Sequence, residues 1–480
     1  MKRSAVVLGL ALLALGLLGV SSAANLPLAG NFDPSFGRGG IVKSAYIAGI
    51  AVQPDGKIVT AGTAGSSAGG PYFGVARYLP DGSPDPSFGD GGRVVTPFTY
   101  WGIPSAVALQ PDGKIVVAGT SAQGDDYAAS EFTLARYEAN GALDTSFGTD
   151  GITNTVFPEP PGTFYNAEPT ALAVLPDGDI VAGGSLSVGI DSSWSVLARY
   201  TPDGSLDPTF GDGGTVQSSS GTLAGIAVQP DGKIVASGSA DVGGHGQDIQ
   251  TMALTRFEPD GTFDGTFGYV TTDPRRHYEG GPLLLRHGKI LVAGTTREKG
   301  SWFPVVARFD AGDHHLDSTF GKNGFAEIRR QLGTPTAILA HSDGKILIAE
   351  NSTSDGLSTV VRLLPNGRLD RSFGREGIAS ITVDPVSSLA LQTDGRVLVG
   401  GGILAQLLGG NNCVVPILRG KTISRASVEL RDSYCRRGRI SRHFSRTVIR
   451  GRVISAALRH GARLPEGSTV NLVVSKGTRP

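Results

Sequence analysis

Cysteine is almost missing: the chain holds two, Cys413 and Cys435, and both lie near its C-terminal end. None sits near the N-terminal leader, so a lipid-modified N terminus is not expected. Beyond residue 24 no apolar run approaches the roughly 20 residues that cross a hydrocarbon core, so a later membrane span is excluded. Helical periodicity is missing from residues 30 to 408, which argues against helical repeats. No Gly-x-Ser-x-Gly elbow occurs, so that serine-hydrolase signature is lacking. The six histidines of this region, His245, His277, His287, His314, His315 and His341, show no metal-binding spacing with acidic support. A formal net charge of zero excludes a uniformly acidic or basic chain.

What is present begins with glycine. Gly and Pro number 70 and 28, and with no collagen period that richness points to many tight turns between short strands. At 480 residues the chain is too long for one ordinary core, so a repeat array or at least two domains is expected. Lys2 and Arg3, the apolar run Ala5 to Val20 and the small residues Ser21 to Ala24 read as a signal peptide over residues 1–24. An exported protein, extracellular or associated with the cell envelope, is therefore expected. Charge is unevenly spread. From Cys413 to Pro480 there are 13 Arg and 2 Lys against three acidic residues, a net of +12, so the remainder carries −12. Such asymmetry marks separate modules.

Three anchors recur seven times. One is an Asp three residues before Phe: Asp33/Phe36, Asp85/Phe88, Asp144/Phe147, Asp207/Phe210, Asp264/Phe267, Asp317/Phe320 and Asp370/Phe373, with a mean step near 56 residues. A second is a hairpin signal between apolar runs, at Gly56, Gly113, Gly178, Gly232, Gly344 and Gly395 after Asp, and at His287-Gly288 without it. The third ends a strand in Arg-aromatic or a variant: Arg77, Arg136, Arg199, Arg256, Arg308 and Arg362, with a degenerate seventh at Gln406. Each unit then reads as four strands: an Asp-Gly hairpin, an Arg-bearing third strand and a fourth strand after Phe-Gly. Gly suits the turn through positive φ, and Asp bonds its own backbone. The expected fold is all-β, a seven-bladed β-propeller over residues 30–408 with four-stranded blades. The order opens with a fourth strand (Phe36 to Val42) and ends with three others (Leu389 to Leu407). The N-terminal strand is therefore expected to complete the last blade and close the ring.

The run Ala-Val-Gln-Pro-Asp-Gly-Lys-Ile-Val-Val-Ala-Gly, followed by Leu-Ala-Arg-Tyr and Asp-Gly-Ser-Leu-Asp-Pro-Ser-Phe-Gly, resembles the bacterial delta-60 repeat over roughly 380 residues. More distantly it resembles the NHL repeat, a binding propeller. The resemblance implies a propeller and carries no established activity. The departures are Arg275 to His287 in the fifth unit and the weak third strand of the seventh.

Residues 411–480 read as a small α+β domain. A short strand and turn are expected over Val414 to Gly420, and a helix over Ser424 to Tyr434 with Ser424 as its N-cap. Three β-rich runs follow, at Arg439–Phe444, Arg452–Ala457 and Ser468–Ser475. Val415-Pro416, Gly420, Ala426, Arg452 to Ser455, Gly461, Leu464 to Ser468 and Val470 to Gly477 resemble a PASTA domain, with Ala456-Ala457-Leu458 departing from its pattern. The resemblance implies contact with the cell wall, namely peptidoglycan or an anionic wall polymer. In an exported chain the two cysteines are expected to pair as a Cys413–Cys435 disulfide.

A calcium loop needs several converging oxygens, whereas each hairpin offers one Asp, so turn chemistry is the better reading. One ligand rarely needs seven equal contacts, so the recurring Arg and Asp read as a structural pair. Trp101, Trp194 and Trp302 are candidates to line a binding face, with packing as the alternative. The run Arg436, Arg437 and Arg439 is the candidate wall contact, against the default of a solvated face. No catalytic, cofactor-binding or metal residue stands out, and nucleic acid is not an expected partner outside the cell. Two readings remain: a non-enzymatic scaffold whose propeller engages a protein or glycan, and a propeller enzyme such as a glycan lyase or esterase working at the channel mouth. Fold alone does not separate them.

Overall fold

The computed structural model describes residues 29–479 except 66–69, 123–129, 158–164, 189–191, 219–220, 242–249, 273–277, 299, 331–332, 353–356, 382–384 and 466–467. The leader, His245, His277 and Arg275-Arg276 fall outside these residues. Seven antiparallel four-stranded sheets repeat along the chain. The N-terminal strand is β1 (Ile41–Val42). Blade one is β2 (Ile47–Val52), β3 (Ile58–Ala64), β4 (Tyr72–Tyr78) and β5 (Arg93–Thr96). Blade two is β6 (Trp101–Leu109), β7 (Ile115–Ala122), β8 (Glu131–Tyr137) and β9 (Ile152–Thr155). Blade three is β10 (Tyr165–Val174), β11 (Ile180–Val188), β12 (Ser192–Tyr200) and β13 (Thr215–Ser218). Blade four is β14 (Thr222–Val228), β15 (Ile234–Asp241), β16 (Gln250–Phe257) and β17 (Val270–Thr271). Blade five is β18 (Tyr278–Arg286), β19 (Lys289–Glu298), β20 (Ser301–Asp310) and β21 (Phe325–Glu327). Blade six is β22 (Thr334–Ala340), β23 (Ile346–Asn351), β24 (Ser358–Leu363) and β25 (Ile378–Ile381). Blade seven takes β26 (Val386–Leu391), β27 (Val397–Gly401) and β28 (Leu404–Leu407) from one end of the chain and β1 from the other.

The first hairpin of each blade follows from its turn residues. In blade one Gly56 adopts φ +85°, and Asp55 Oδ1 accepts the Lys57 N–H at 3.1 Å. Blade five lacks the Asp and turns more tightly. His287 and Gly288 both take positive φ (48° and 70°), and Arg286 pairs directly with Lys289. The first strand of every blade carries a register shift at one place, from Ile47/Gly49 in blade one to Val386/Ser388 in blade seven. Such bulges sharpen local twist.

The apolar strands do not share one core. They form a layer between each pair of neighbouring blades. Val59 and Ala61 of blade one meet Ile115 and Val117 of blade two, and the same arrangement repeats along the chain. A further layer joins Ala390, Leu398 and Leu404 of blade seven to Ile47, Ile50 and Ile58 of blade one. Ser387 Oγ of blade seven donates to the Ile47 carbonyl, and Ile50 N–H donates to Ser388 Oγ at 3.1 Å. The fourth strand of blade seven is shorter than expected: β1 is two residues, and Phe36 to Gly40 turn rather than extend. Its pairing with β28 is as expected, with Ile41 opposite Ala405.

The tail holds β29 (Asn412–Val414), α1 (Ile423–Asp432), β30 (Arg436–His443), β31 (Val453–Ala456), β32 (Arg463–Pro465) and β33 (Thr469–Ser475). β33 lies between β30 and β31, parallel to β30. Ala426 and Leu430 of the helix are buried with Val453, Val470, Leu472 and Val474. The cap is Thr422, not Ser424: its side chain accepts the Arg425 N–H at 3.2 Å. Both residue types cap well. Thr422 wins because its backbone bridges Arg452 while Ile423 packs on the tail core. The helix also ends earlier than expected, at Asp432, and the first tail strand begins earlier, at Asn412. The Cys413–Cys435 disulfide is formed and buried. Among the described residues no helix is long and apolar enough to cross a membrane.

Candidate functional site

The recurring Arg, Asp and Phe assemble into a clasp. In blade two Arg136 Nε donates to Asp144 Oδ2 at 2.7 Å, its guanidinium lies 4.5 Å from the centre of the Phe147 ring, and Nη1 reaches the Pro202 carbonyl of blade three. Arg77, Arg199, Arg256, Arg308 and Arg362 make the same contacts, each donating to a backbone carbonyl of the following blade or of the segment beyond it. The first-hairpin lysine adds a second cation: Lys114 Nζ stands 2.6 Å from Asp144, and Lys233 Nζ 2.8 Å from Asp264. Burial alone would raise the Asp144 pKa, but hydrogen bonds from Lys114 and Ser146 and the Arg136 charge hold it below the usual carboxylate range. Asp85, Asp264 and Asp317 are lowered in the same way. These groups are spent on one another and on the next blade. Their repetition is structural, and among the described residues no three His, Cys, Asp or Glu converge as metal ligands.

Blade seven holds its clasp Asp by an ion pair from a different position. Gln406 replaces the arginine, and Arg396, in the place of the hairpin lysine, pairs with Asp33 at 2.7 Å. The cation has moved one strand inward, and the carboxylate keeps its partner.

The other candidates are dispersed. Trp101, Trp194 and Trp302 stand on blades two, three and five. Trp302, 40 % exposed, lies under Arg297 at 5.5 Å. His314 stacks on His315 at 5.0 Å and meets Phe267 edge-on, while His341 Nδ1 contacts Asp343 at 2.8 Å. The structure brings none of these into one cluster.

The tail arginines are arranged differently. Arg436, Arg437 and Arg439 are exposed along β30, one of the two edge strands of the three-stranded tail sheet. Arg437 touches Ser427 Oγ at 3.3 Å, and the Arg439 backbone N–H is held by Asn471 Oδ1 at 2.8 Å. Among the described residues none of the three side chains has a carboxylate partner. Arg442 and His443 extend the same exposed strand.

One residue escapes a motif search. Glu350 occupies the place held by Gly62, Gly119, Gly184, Gly238, Gly294 and Gly401 in the other blades. An added Cβ at Gly62 would lie 1.9 Å from the Tyr46 carbonyl oxygen. Glu350 is 1 % exposed, and its Oε1 has no hydrogen-bond partner among the described residues. Burial pushes its pKa well up, against a weak bond from Thr359. Aligning the seven repeats on Ala-Gly would have exposed it. Cavities among the described residues include one of about 240 Å³ in blade one beside Tyr46, Tyr78 and Arg93, and one of about 570 Å³ between blade six and the tail, walled by Leu369, Arg371, Val415, Tyr434 and His460.

One family match follows the repeat. A β-propeller domain of unknown function, DUF5122, matches residues 53–88, 110–147, 175–210, 229–267, 288–320 and 341–373. Each segment runs from a first hairpin to the Phe of the same blade; blade seven, split between the two ends of the chain, has no match. A crystal structure of a protein of unknown function from Dyadobacter fermentans aligns with 74% of this chain and 97% of its own length, at 13% identity and a TM-score of 0.36. Among curated proteins none matches.

Proposed function

We propose that this β-propeller repeat protein is an exported, non-enzymatic scaffold, held at the cell envelope by its C-terminal tail. The seven sheets form a closed ring of delta-60-type blades, a reading supported by the apolar layer that joins blade seven to blade one. The tail is a PASTA-like module, and its partner is peptidoglycan or an anionic wall polymer. The propeller offers its loops to a protein or glycan.

The observation that carries this reading is the state of the arginines. The six clasp arginines of the propeller are largely buried and each is paired with an Asp, whereas Arg436, Arg437 and Arg439 line an exposed strand with no acidic partner among the described residues. Unpaired guanidinium groups suit carboxylates and phosphates, which they bind through bidentate hydrogen bonds. The test is retention of the mature chain on purified cell walls, with and without their anionic polymers, across a salt series. Charge-driven retention should weaken above about 0.15 M salt, where the screening length is about 8 Å. No retention on either wall preparation at low salt would sink the anchoring role.

A further inference from the structure

Blade seven alone has no covalent link between its third and fourth strands. In blade one that link is the turn Leu79 to Ser83, where the Gly82 N–H donates to the Leu79 carbonyl at 2.9 Å and the Leu79 N–H to the Ser83 carbonyl at 2.8 Å. Blade seven makes the same two bonds across a break: Gly30 N–H to Leu408 at 2.8 Å, and Leu408 N–H to Asn31 at 3.0 Å. Gly30 keeps the φ of the turn glycine, +82° against +85° for Gly82. The neighbouring blade reads the substitute turn as a real one. Gly374 N–H donates to the Ala29 carbonyl at 2.9 Å, as Gly37 N–H does to Asp81 at 2.7 Å. Ala29 therefore stands in the place of Asp81, with no peptide tying it back to Leu408.

The tail supplies the missing tie. Asn412 Oδ1 accepts the Ala29 N–H at 2.7 Å, and Asn412 Nδ2 donates to the Ala29 carbonyl at 3.1 Å. Asn412 is fully buried and Ala29 is 5 % exposed. A side-chain amide grips both polar groups of one residue, as a neighbouring strand would. The residues on either side brace it. Asn411 Oδ1 accepts from Lys345 Nζ at 2.9 Å and Arg362 Nη2 at 3.0 Å, and Cys413 is bonded to Cys435 at the end of α1. Tyr434, next to Cys435, lies over Lys345 at 5.4 Å.

We propose that the tail is the latch of the propeller: the Asn412 amide closes the broken turn of blade seven, and the ring stays shut only while the tail is seated. The tail is then more than an appendage, and whatever reseats it loosens residues 29–42. The latch rests on the closed-ring reading above. Hydrogen exchange on the full mature chain tests both and tells them apart. With N412A, peptides covering 29–42 and 404–408 should exchange about ten- to hundred-fold faster, the loss of one buried bonding pair, while blades two to four keep their protection. C413S/C435S should loosen the same peptides. N351A removes the comparable grip of Asn351 on Val386, 2.8 Å and 2.7 Å, and should loosen β26 while sparing 29–42. If N412A does not accumulate, N412Q, with its amide one methylene too far, gives the same local reading. Equal protection of 29–42 in the Asn412 variants and the unaltered chain would overturn the latch. Unprotected 29–42 in the unaltered chain would overturn the closed ring itself.

Discussion

The clasp arginines of the propeller and the β30 arginines of the tail are used in opposite ways. Arg362 is 1 % exposed; it holds Asp370, caps the Phe373 ring and donates to the Gly410 carbonyl. Arg436 and Arg439 stand in water with no carboxylate near them among the described residues. The contrast teaches that a repeated charge is a poor guide to binding. Six copies of a charged pair, with Arg396–Asp33 standing in for the seventh, made a lattice of internal bonds, and the β30 cations remained open to a partner.

The largest effect should come from breaking a clasp. Arg362→Met leaves Asp370 buried with its Ser372 hydrogen bonds and, as its nearest cation, the more distant Lys345 at 4.0 Å, and should lower unfolding stability by about 3–5 kcal/mol in denaturant titrations. A change as small as a surface substitution would refute the structural role of the clasp. Phe147→Leu, next in size, thins the layer between blades two and three and should cost about 1–2 kcal/mol by the same measurement.

Two pH responses of opposite sign sharpen the comparison. Asp85, Asp144, Asp264 and Asp317 have folded pKa values below their unfolded ones, so their stabilisation is fully present above the unfolded pKa near about 4, declines below it and is lost as pH falls through the folded values. The melting temperature should hold above about pH 5 and drop steeply below about pH 4. Glu350 is raised, so its cost is absent below about pH 4 and grows as pH rises. Glu350→Gln should therefore stabilise at neutral pH, by on the order of 1–3 kcal/mol, and the gain should vanish towards pH 4. A gain independent of pH would mean that the carboxyl is not the cause.

Much of this fold is readable in the chain, because each anchor has a local physical reason. Asp55-Gly56 makes a turn wherever it stands, and Arg77, Asp85 and Phe88 lie close in sequence as well as in space. What stays hidden depends on distant partners. Gly30-Asn31 carries only half of a turn, and its partner Leu408 is at the far end of the propeller sequence. Asn412 looks like a linker residue until Ala29 is beside it. The cap of α1 slipped from Ser424 to Thr422 because two capping residue types lie two positions apart. Of the candidate site, the arginine run was legible, but its lack of acidic partners emerged only from the packed tail.

The smallest expected effect on stability belongs to the tail, and it gives the most direct test. The triple variant R436Q/R437Q/R439Q should unfold within about 0.5 kcal/mol of the parent, as exposed charges do. Its retention on purified walls at low salt should fall well below that of the parent. Arg362→Met, under conditions where it stays folded, should keep that retention while losing stability. If the triple variant instead remains on the wall as the parent does, or unfolds as readily as the clasp variant, the division between internal and outward-facing arginines is contradicted.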